Sequence, residues 1–569
     1  MQAPVQTGRA IAYSAALCFF SLPIGWYFIN SGLSSTGADM DYYLVVLNLF
    51  VAQDMWTGPL MAGIILFAWY VSGRTCSLAL PDAGWAVPGL ALASALAVVL
   101  LRFVAHRNYN LSLDEYLPEF QAQIFRSGDF AARIPADLFD MHLRLQPFFT
   151  YVDTDHQMWL QHYRPVHAAI LSLFPAGWDT ALAHALLTAI TVLAMASIAR
   201  RLFPEHREAP LLAALLLVAS PQVLITAASG FSFTAHLAFN TVWLALFLRG
   251  SWRAHVLAAI LGFFAVGLHQ VHVHLLFAFP VGVAMLWGMF GNRLKAIPYL
   301  VAYALAVPLW VTWPEIAIWL QTGDASVLPR SLTEVEYIAN FLNYKGSVGA
   351  ADRILSLVFL YTNLWRMVVW LSPALLIVLC LALLPGRRMI PFARLSAAAF
   401  VFSLVLSHLL LSNPMHSWGS RYYHPALVYL LIVALGAFYA RAGNPGFDRL
   451  RSAVLITLVT GAVALVPLRA WQVYEKVAPR ARIQTQIEAI DADAVNLLSD
   501  GYWFAGDFLR NDPYLRNRPH IFVNLRLAEG ENAPGAASTV TVDVHDLLDW
   551  GLPRGTWLEP AYPISSPTD

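Results

Sequence analysis

Charge is scarce in this chain. Only 12% of its 569 residues are Asp, Glu, Lys or Arg, about half the share of a soluble globular protein, and that excludes an ordinary soluble enzyme. Lysine is scarcer still: of 35 basic residues only Lys295, Lys345 and Lys476 are lysines, a skew toward arginine that points to the codon usage of a high-GC bacterium. Neither sign is in excess, since Lys plus Arg and Asp plus Glu both number 35, so nothing in the balance points to nucleic acid as a partner. The three cysteines, Cys18, Cys76 and Cys380, lie in or beside apolar stretches and imply no disulfide framework. The first apolar run, Ile11 to Ile29, lacks a small-residue cleavage site after it, so it reads as a retained membrane helix and not as a signal peptide.

What the chain has instead is apolar length. Hydrophobic residues make up 58% of it, with a mean hydropathy of +0.57. Stretches long enough to span hydrocarbon recur from Ile11 to Leu468, at 10–30, 44–72, 84–105, 166–199, 209–228, 232–249, 254–269, 272–290, 296–316, 365–384, 394–412, 424–441 and 452–468. This predicts an all-α polytopic membrane protein of about 13 transmembrane helices. Asp54 interrupts the second stretch, and Pro165, Pro175 and Gly177 break the fourth into a short piece and a full helix. With the N-terminus inside, every short cytoplasmic connection carries a basic residue, from Arg74 to Arg441, Arg449 and Arg451, whereas the opposite loops 31–43 and 229–231 carry none. The exceptions are three irregular outer loops, 106–165, 317–364 and 413–423, and function is expected there. Residues 471–569 alone have soluble composition. Short β-like runs (Ala494–Leu498, His520–Leu525, Thr539–Val544) alternate there with helical patterns (Arg482–Ile490, Trp503–Leu509, His545–Trp550), which predicts a small extracytoplasmic α/β domain.

Asp114 and Glu115 stand a few residues beyond the third span, at the start of an amphipathic helical pattern. Adjacent acids at an outer membrane surface can divide labour, one taking a proton from an acceptor hydroxyl and the other binding a cation or fixing orientation. The plainer reading is that Asp114 caps the helix and both acids favour its positive end. Later in the same loop Asp153, Asp155 and His156 offer hard oxygen and imidazole ligands to a divalent metal, although their spacing fits no closed structural site, and solvated loop polarity or acceptor binding accounts for them as well. His269, His272 and His274 fall where two spans turn on the outer side and offer a metal site, a sugar-hydroxyl site or a polar turn at headgroup level. Trp159 and Trp418 are outer aromatics that could stack on sugar rings.

Asp-Glu after the first core helix, a helix ending in Ser127-Gly128-Asp129-Phe130, and Tyr163-Arg164-Pro165-Val166-His167 leading into a span resemble the first outer loop of GT-C glycosyltransferases. That family includes protein O-mannosyltransferases and the aminoarabinose transferase of lipid A. Val218-Ala-Ser-Pro-Gln222 and Ser420-Arg-Tyr-Tyr-His-Pro425 support the match. The resemblance covers roughly 84–470 and divides the chain into additional N-terminal helices at 1–83, a GT-C-like module at 84–470 and the tail at 471–569. It implies transfer of a sugar, with inversion, from a polyprenyl-phosphate donor to a glycan, lipid or protein acceptor on the outer face of a bacterial cytoplasmic (inner) membrane. Asp114 would then be the base and Glu115 its partner. Arg164 takes the place of a basic residue that contacts the carrier phosphate, with Arg421, Arg330, Lys345 and Arg366 as further phosphate contacts by charge and side. Tyr163, His167, Tyr422, His269, His272 and His274 are candidates for sugar or acceptor binding. No cofactor is required, a divalent metal remaining an option at Asp153, Asp155 and His156. A transporter or flippase of lipid-linked or small polar substrates is the alternative, against which stand the absence of an internal repeat and the crowding of polar residues into outer loops.

Overall fold

The structure, a computed structural model, describes residues 3–34, 49–74, 78, 80, 81, 83–146, 148–327, 350–384, 389–410, 418–498, 503–528 and 530–552. Apolar runs become helices because in hydrocarbon every backbone N–H and C=O must find its partner within the chain. Among the described residues six helices are long and apolar enough to cross a membrane, and two bent pairs bring the number to as many as eight. Four further apolar helices, Thr57–Ser72, Phe233–Phe247, Trp252–Val266 and Val271–Leu286, are too short for that test. Cys18 and Cys380 are buried free thiols.

The expected interruptions hold. A π-helical turn, Leu49–Asp54, precedes Thr57–Ser72, and Val166–Ser172 is separated from Asp179–Leu202 by a turn at Gly177 with φ of +77°. Two spans depart from expectation. The stretch 365–384 is not one straight helix: Ala350–Trp370 meets Pro373–Ala382 with a bend of 115°. Proline lacks an N–H and drives the residue before it into extended backbone, and Ser372 at ψ 133° gives its N–H to Ser220 Oγ instead (3.1 Å). The last span, expected to end near 468, runs on unbroken as Phe447–Glu488. At about 1.5 Å per residue this helix is some 60 Å long, about twice the hydrocarbon thickness, so its second half stands clear of the membrane.

That half is held because Ile483 and Ile487 are wholly buried in a second apolar core. The core is shared. It contains Leu113, Leu117, Phe120 and Trp159 of the first outer loop together with Val495, Leu497, Phe508, Ile521 and Leu547 of the tail. Two small sheets flank it. One is antiparallel in the order β1 (Ala132–Arg133), β3 (Met158–Gln161), β2 (Thr150–Asp153), with Val152 opposite Trp159. The other is parallel, with β4 (Ala494–Leu497) between β5 (His520–Val523) and β6 (Thr539–Val542). The tail thus has the expected α/β character, and it forms one body with the loop 106–165. Trp159 Nε1 donates to Pro513 O (2.7 Å) and the Tyr116 hydroxyl to Asn511 O (3.0 Å), fastening the two parts.

Candidate active site

The helix Leu113–Arg126 begins at Ser112, whose extended backbone and hydroxyl accept the Glu115 N–H (3.4 Å). Ser112, not Asp114, is therefore the cap. Asp114 and Glu115 occupy the first turn, where the helix dipole favours negative charge. A second acceptor comes from the tail: Asp507 Oδ1 takes the Leu113 N–H at 3.0 Å. Burial pushes the Asp507 carboxyl up to about 6, with the Leu113 N–H and Arg510 pulling the other way. Gly230 passes directly beneath this first turn, where a Cβ would collide with Asn110 Oδ1 and the Glu115 carbonyl.

The two acids diverge. Glu115 is 1% exposed; its Oε2 accepts from Leu111 N (3.1 Å) and its Oε1 from Trp418 Nε1 (3.2 Å). Burial raises its carboxyl to about 7, and the Leu111 N–H and Arg102 oppose that rise. Asp114 faces the other way, into a polar centre. Arg421 Nη1 donates to Asp114 Oδ2 at 2.9 Å, with the two side chains 8% and 16% exposed. Arg421 Nη2 donates to the Tyr422 hydroxyl (2.7 Å), while its Nε is buried with no hydrogen-bond partner among the described residues. Tyr163 brings its phenol to the Asp114 carboxylate, and burial with that neighbouring charge holds the phenol well above its usual range, so it keeps its proton. Its ring lies 3.9 Å from the His269 ring. Burial lowers His269 to about 4, Asp114 opposing and Arg421 adding to the effect. Asp114 Oδ1 is buried and has no hydrogen bond of good geometry.

Arg421 is placed by the turn before it. Gly419 has φ of +62° and sits against Gln222, so that a Cβ would strike the amide of that side chain. Gln222 Oε1 accepts the Ser420 N–H (2.8 Å). Trp418, at 1% exposure, is a core residue between Glu115 and His106, and Trp159 is equally buried, so neither presents a face for a sugar ring.

The remaining expected site residues separate. Arg164 is 3% exposed; its N–H pairs with the His269 carbonyl (3.1 Å), while its guanidinium donates to His162 O (2.9 Å). Burial lowers it to about 10, with the Glu315 carboxylate acting against that shift. It stands behind Tyr163 and His269, one layer from Asp114. His167 Nε2 meets His184 Nε2 at 2.9 Å, and His184 Nδ1 lies 3.0 Å from Ala227 O. Because the carbonyl can only accept, His184 carries its proton on Nδ1, and His167 must be the donor between the rings. His274 is bound to Asn240 Oδ1 (2.7 Å) and the Tyr303 hydroxyl (3.0 Å), away from Asp114. His272 lines a narrow crevice of about 20 Å³ with Phe233, Leu276, Phe400, Ser403 and Tyr422. Of the three imidazoles, only His269 reaches the Asp114 centre. Arg366 points inward, Nε to Gly419 O (3.0 Å) and Nη2 to Gln53 (3.3 Å). Arg330 and Lys345 lie outside the described residues.

His156 lies between two carboxylates, Nδ1 2.5 Å from Asp153 and Nε2 3.3 Å from Asp324. Among the described residues no group of three or more His, Cys, Asp or Glu side chains is arranged to hold a metal ion.

No protein-family model matches the chain, and no curated protein matches it. Among solved structures, the chain is similar to that of ArnT from Cupriavidus metallidurans in the apo state, at 16% identity over 76% of this chain and 85% of that one, with a TM-score of 0.42. The same enzyme bound to undecaprenyl phosphate aligns at 18% identity over 76% and 86%, with a TM-score of 0.37. The oligosaccharyltransferase of Archaeoglobus fulgidus, in complex with Zn and sulfate, aligns at 14% identity over 75% of this chain and 62% of that one, with a TM-score of 0.42.

Proposed function

We propose that the chain is a membrane glycosyltransferase of the GT-C type, moving a sugar from a polyprenyl-phosphate donor to an acceptor hydroxyl at the outer membrane face, with Asp114 as the base. The observation that carries this reading is the buried pair of Asp114, whose Oδ1 makes no hydrogen bond of good geometry, and Arg421, whose Nε–H is without a partner among the described residues. Such a pair suits inverting transfer. Asp114 Oδ1 takes the proton of the acceptor hydroxyl as its oxygen bonds to the anomeric carbon. The carbon–oxygen bond to the carrier phosphate breaks on the opposite side, and the phosphate leaves with the electron pair. Arg421, by its unused Nε–H, meets the charge that develops there. Tyr163, which holds its proton, is a hydrogen-bond donor beside the base, and neutral His269 stacks on it without adding charge. The crevice that starts at Tyr422 and runs between the helices Val271–Leu286 and Pro391–Leu410 is lined by Leu276, Phe400 and Leu404, and those two helices part to take the isoprenoid chain. Trp418, Asp507 and Gln222 act behind these groups, fixing the two segments that carry them. No metal enters this reading.

The test is a panel of radiolabelled polyprenyl-phosphate sugars offered to the purified chain with membrane extract. One label should move into an acceptor, and not with Asp114→Asn. No transfer of any label by an intact, folded preparation would overturn the proposal.

A further inference from the structure

On the far side of the helix Leu113–Arg126 from Asp114 lies a second, larger concavity. Tyr116 and Glu119 line it, at about 200° and 140° around the helix from Asp114, so it is separate from the reactive centre. The opposite wall is the projecting half of Phe447–Glu488, with Tyr474, Arg482, Gln484 and Glu488, and Arg510 of the tail closes one end. The groove spans about 630 Å³. The only aliphatic side chains in its lining are Ala478 and Ala481; its apolar surface comes otherwise from tyrosine rings and arginine stems.

Three features define what would fill it. Tyrosine rings stand along it, and the Arg510 guanidinium packs 4.7 Å from the Tyr116 ring and 5.3 Å from that of Tyr109. Gln484 is 4% exposed, and its Oε1 is buried with no donor among the described residues, while its amide is committed to Glu488 (2.8 Å). An acceptor left buried this way calls for a ligand hydroxyl or amide. The charge is positive: Arg107, Arg482 and Arg510 face Glu488, whereas the Glu119 carboxylate is taken by Arg102 (3.2 Å) and Thr180 (2.7 Å). Flat rings for C–H faces, a hydroxyl acceptor and surplus guanidinium together describe a sugar polymer that carries carboxylates or other anionic groups. We propose that this groove is an accessory binding site for an acidic oligosaccharide, held by Tyr474, Arg482 and Gln484 on the same side of the membrane as Asp114.

Binding needs no turnover, so its test is independent of the transferase reading. The full chain in lipid nanodiscs is titrated calorimetrically with a galacturonate hexasaccharide and with maltohexaose. Saturable binding of the acidic hexamer is expected, at least about tenfold tighter than the neutral one, as charge-assisted hydrogen bonds imply. Arg482→Glu, at an exposed position, should erase that preference. Tyr474→Ala, at a residue 39% exposed, should weaken both sugars, and Asp114→Asn should leave binding as in the parent. Absence of saturable binding, equal binding of the two hexamers, or binding unchanged by both groove substitutions would overturn the proposal.

Discussion

Replacing Asp114 by Asn separates a reactive carboxylate from a structural one. The pair it forms with Arg421 is nearly buried, at 16% and 8% side-chain exposure, with a 2.9 Å contact. Truncating one member of such a pair strands the other charge, at a cost of about 3–5 kcal/mol, and that is the expectation for Asp114→Ala. Asparagine keeps the shape and one oxygen for Arg421 Nη1, so it forfeits only the charge assistance, about 1–2 kcal/mol. The chemical loss is far larger, since a general base contributes about 10²–10⁴ in rate. Asp114→Asn should therefore fold, melt slightly earlier and transfer sugar at least about a hundredfold more slowly. The Asp114→Asn, Arg421→Gln double variant should lose less stability than the two single variants added together, with a coupling of about 1–3 kcal/mol. Thermal unfolding in detergent and initial rates of label transfer measure the two effects. Transfer by Asp114→Asn within about tenfold of the parent would refute Asp114 as the base. Equal stability losses for Asn and Ala would show that the carboxylate serves the fold alone.

Three further outcomes are expected. Asp507→Ala orphans the buried Leu113 N–H, costing about 1–3 kcal/mol and lowering kcat more than it raises KM; Asp507→Asn, which restores an acceptor, should recover the rate. Glu115, with its carboxyl raised from 4.5 to about 7 by burial, contributes stability fully below pH 4.5 that is lost as pH rises through about 7. The parent should weaken over that window by up to about 3 kcal/mol relative to Glu115→Gln, and a difference between the two that does not change with pH in equilibrium unfolding would refute the assignment. Ser403→Trp, at a position lining the crevice beside Tyr422, should raise KM for long-chain polyprenyl donors and spare short-chain ones; equal effects on both would remove the crevice as the chain's slot.

Local pattern made much of this fold legible. The three tail strands fall within one or two residues of the runs of alternating or β-branched residues that announced them, and the breaks at Asp54 and at Pro175 and Gly177 are where proline, glycine and buried charge required them. Long-range partners left no such trace. Asp507 accepts from Leu113 across 394 residues and Trp418 donates to Glu115 across 303. Nothing in the local spacing marks either residue as support for the acidic helix. The run-on of the last helix to Glu488 was hidden for the same reason. Its second half is too polar to read as a span, and it is stabilised by burying Ile483 and Ile487 against a core assembled from the outer loop and the tail. Arg164 is a related case: a basic residue before proline has the chemistry of a phosphate ligand, and the carboxylate that acts on it in space is that of Glu315, which the sequence pattern did not connect to it.

The scarcity of charge gives the N-terminal 83 residues a role. Asp54, at 0% exposure, lies between two equally buried guanidiniums, 3.1 Å from Arg469 Nη1 and 3.7 Å from Arg366 Nε, and accepts from Trp370 Nε1 (2.8 Å). Two cations at that depth repel each other and are costly without a counter-charge. Among the described residues Asp54 is the only acid in ion-pair range of either. Arg366 in turn donates to Gly419 O, in the turn that aims Arg421 at Asp114. A carboxylate from the first helices therefore fixes, through one arginine and one carbonyl, the position of the cation in the candidate site. The segment that looked like an addition in the sequence is part of the scaffold on which the reactive pair rests. Arg366 and Arg421, alike by charge and side, consequently do different work: one is turned inward to be neutralised by Asp54, and the other pairs with Asp114.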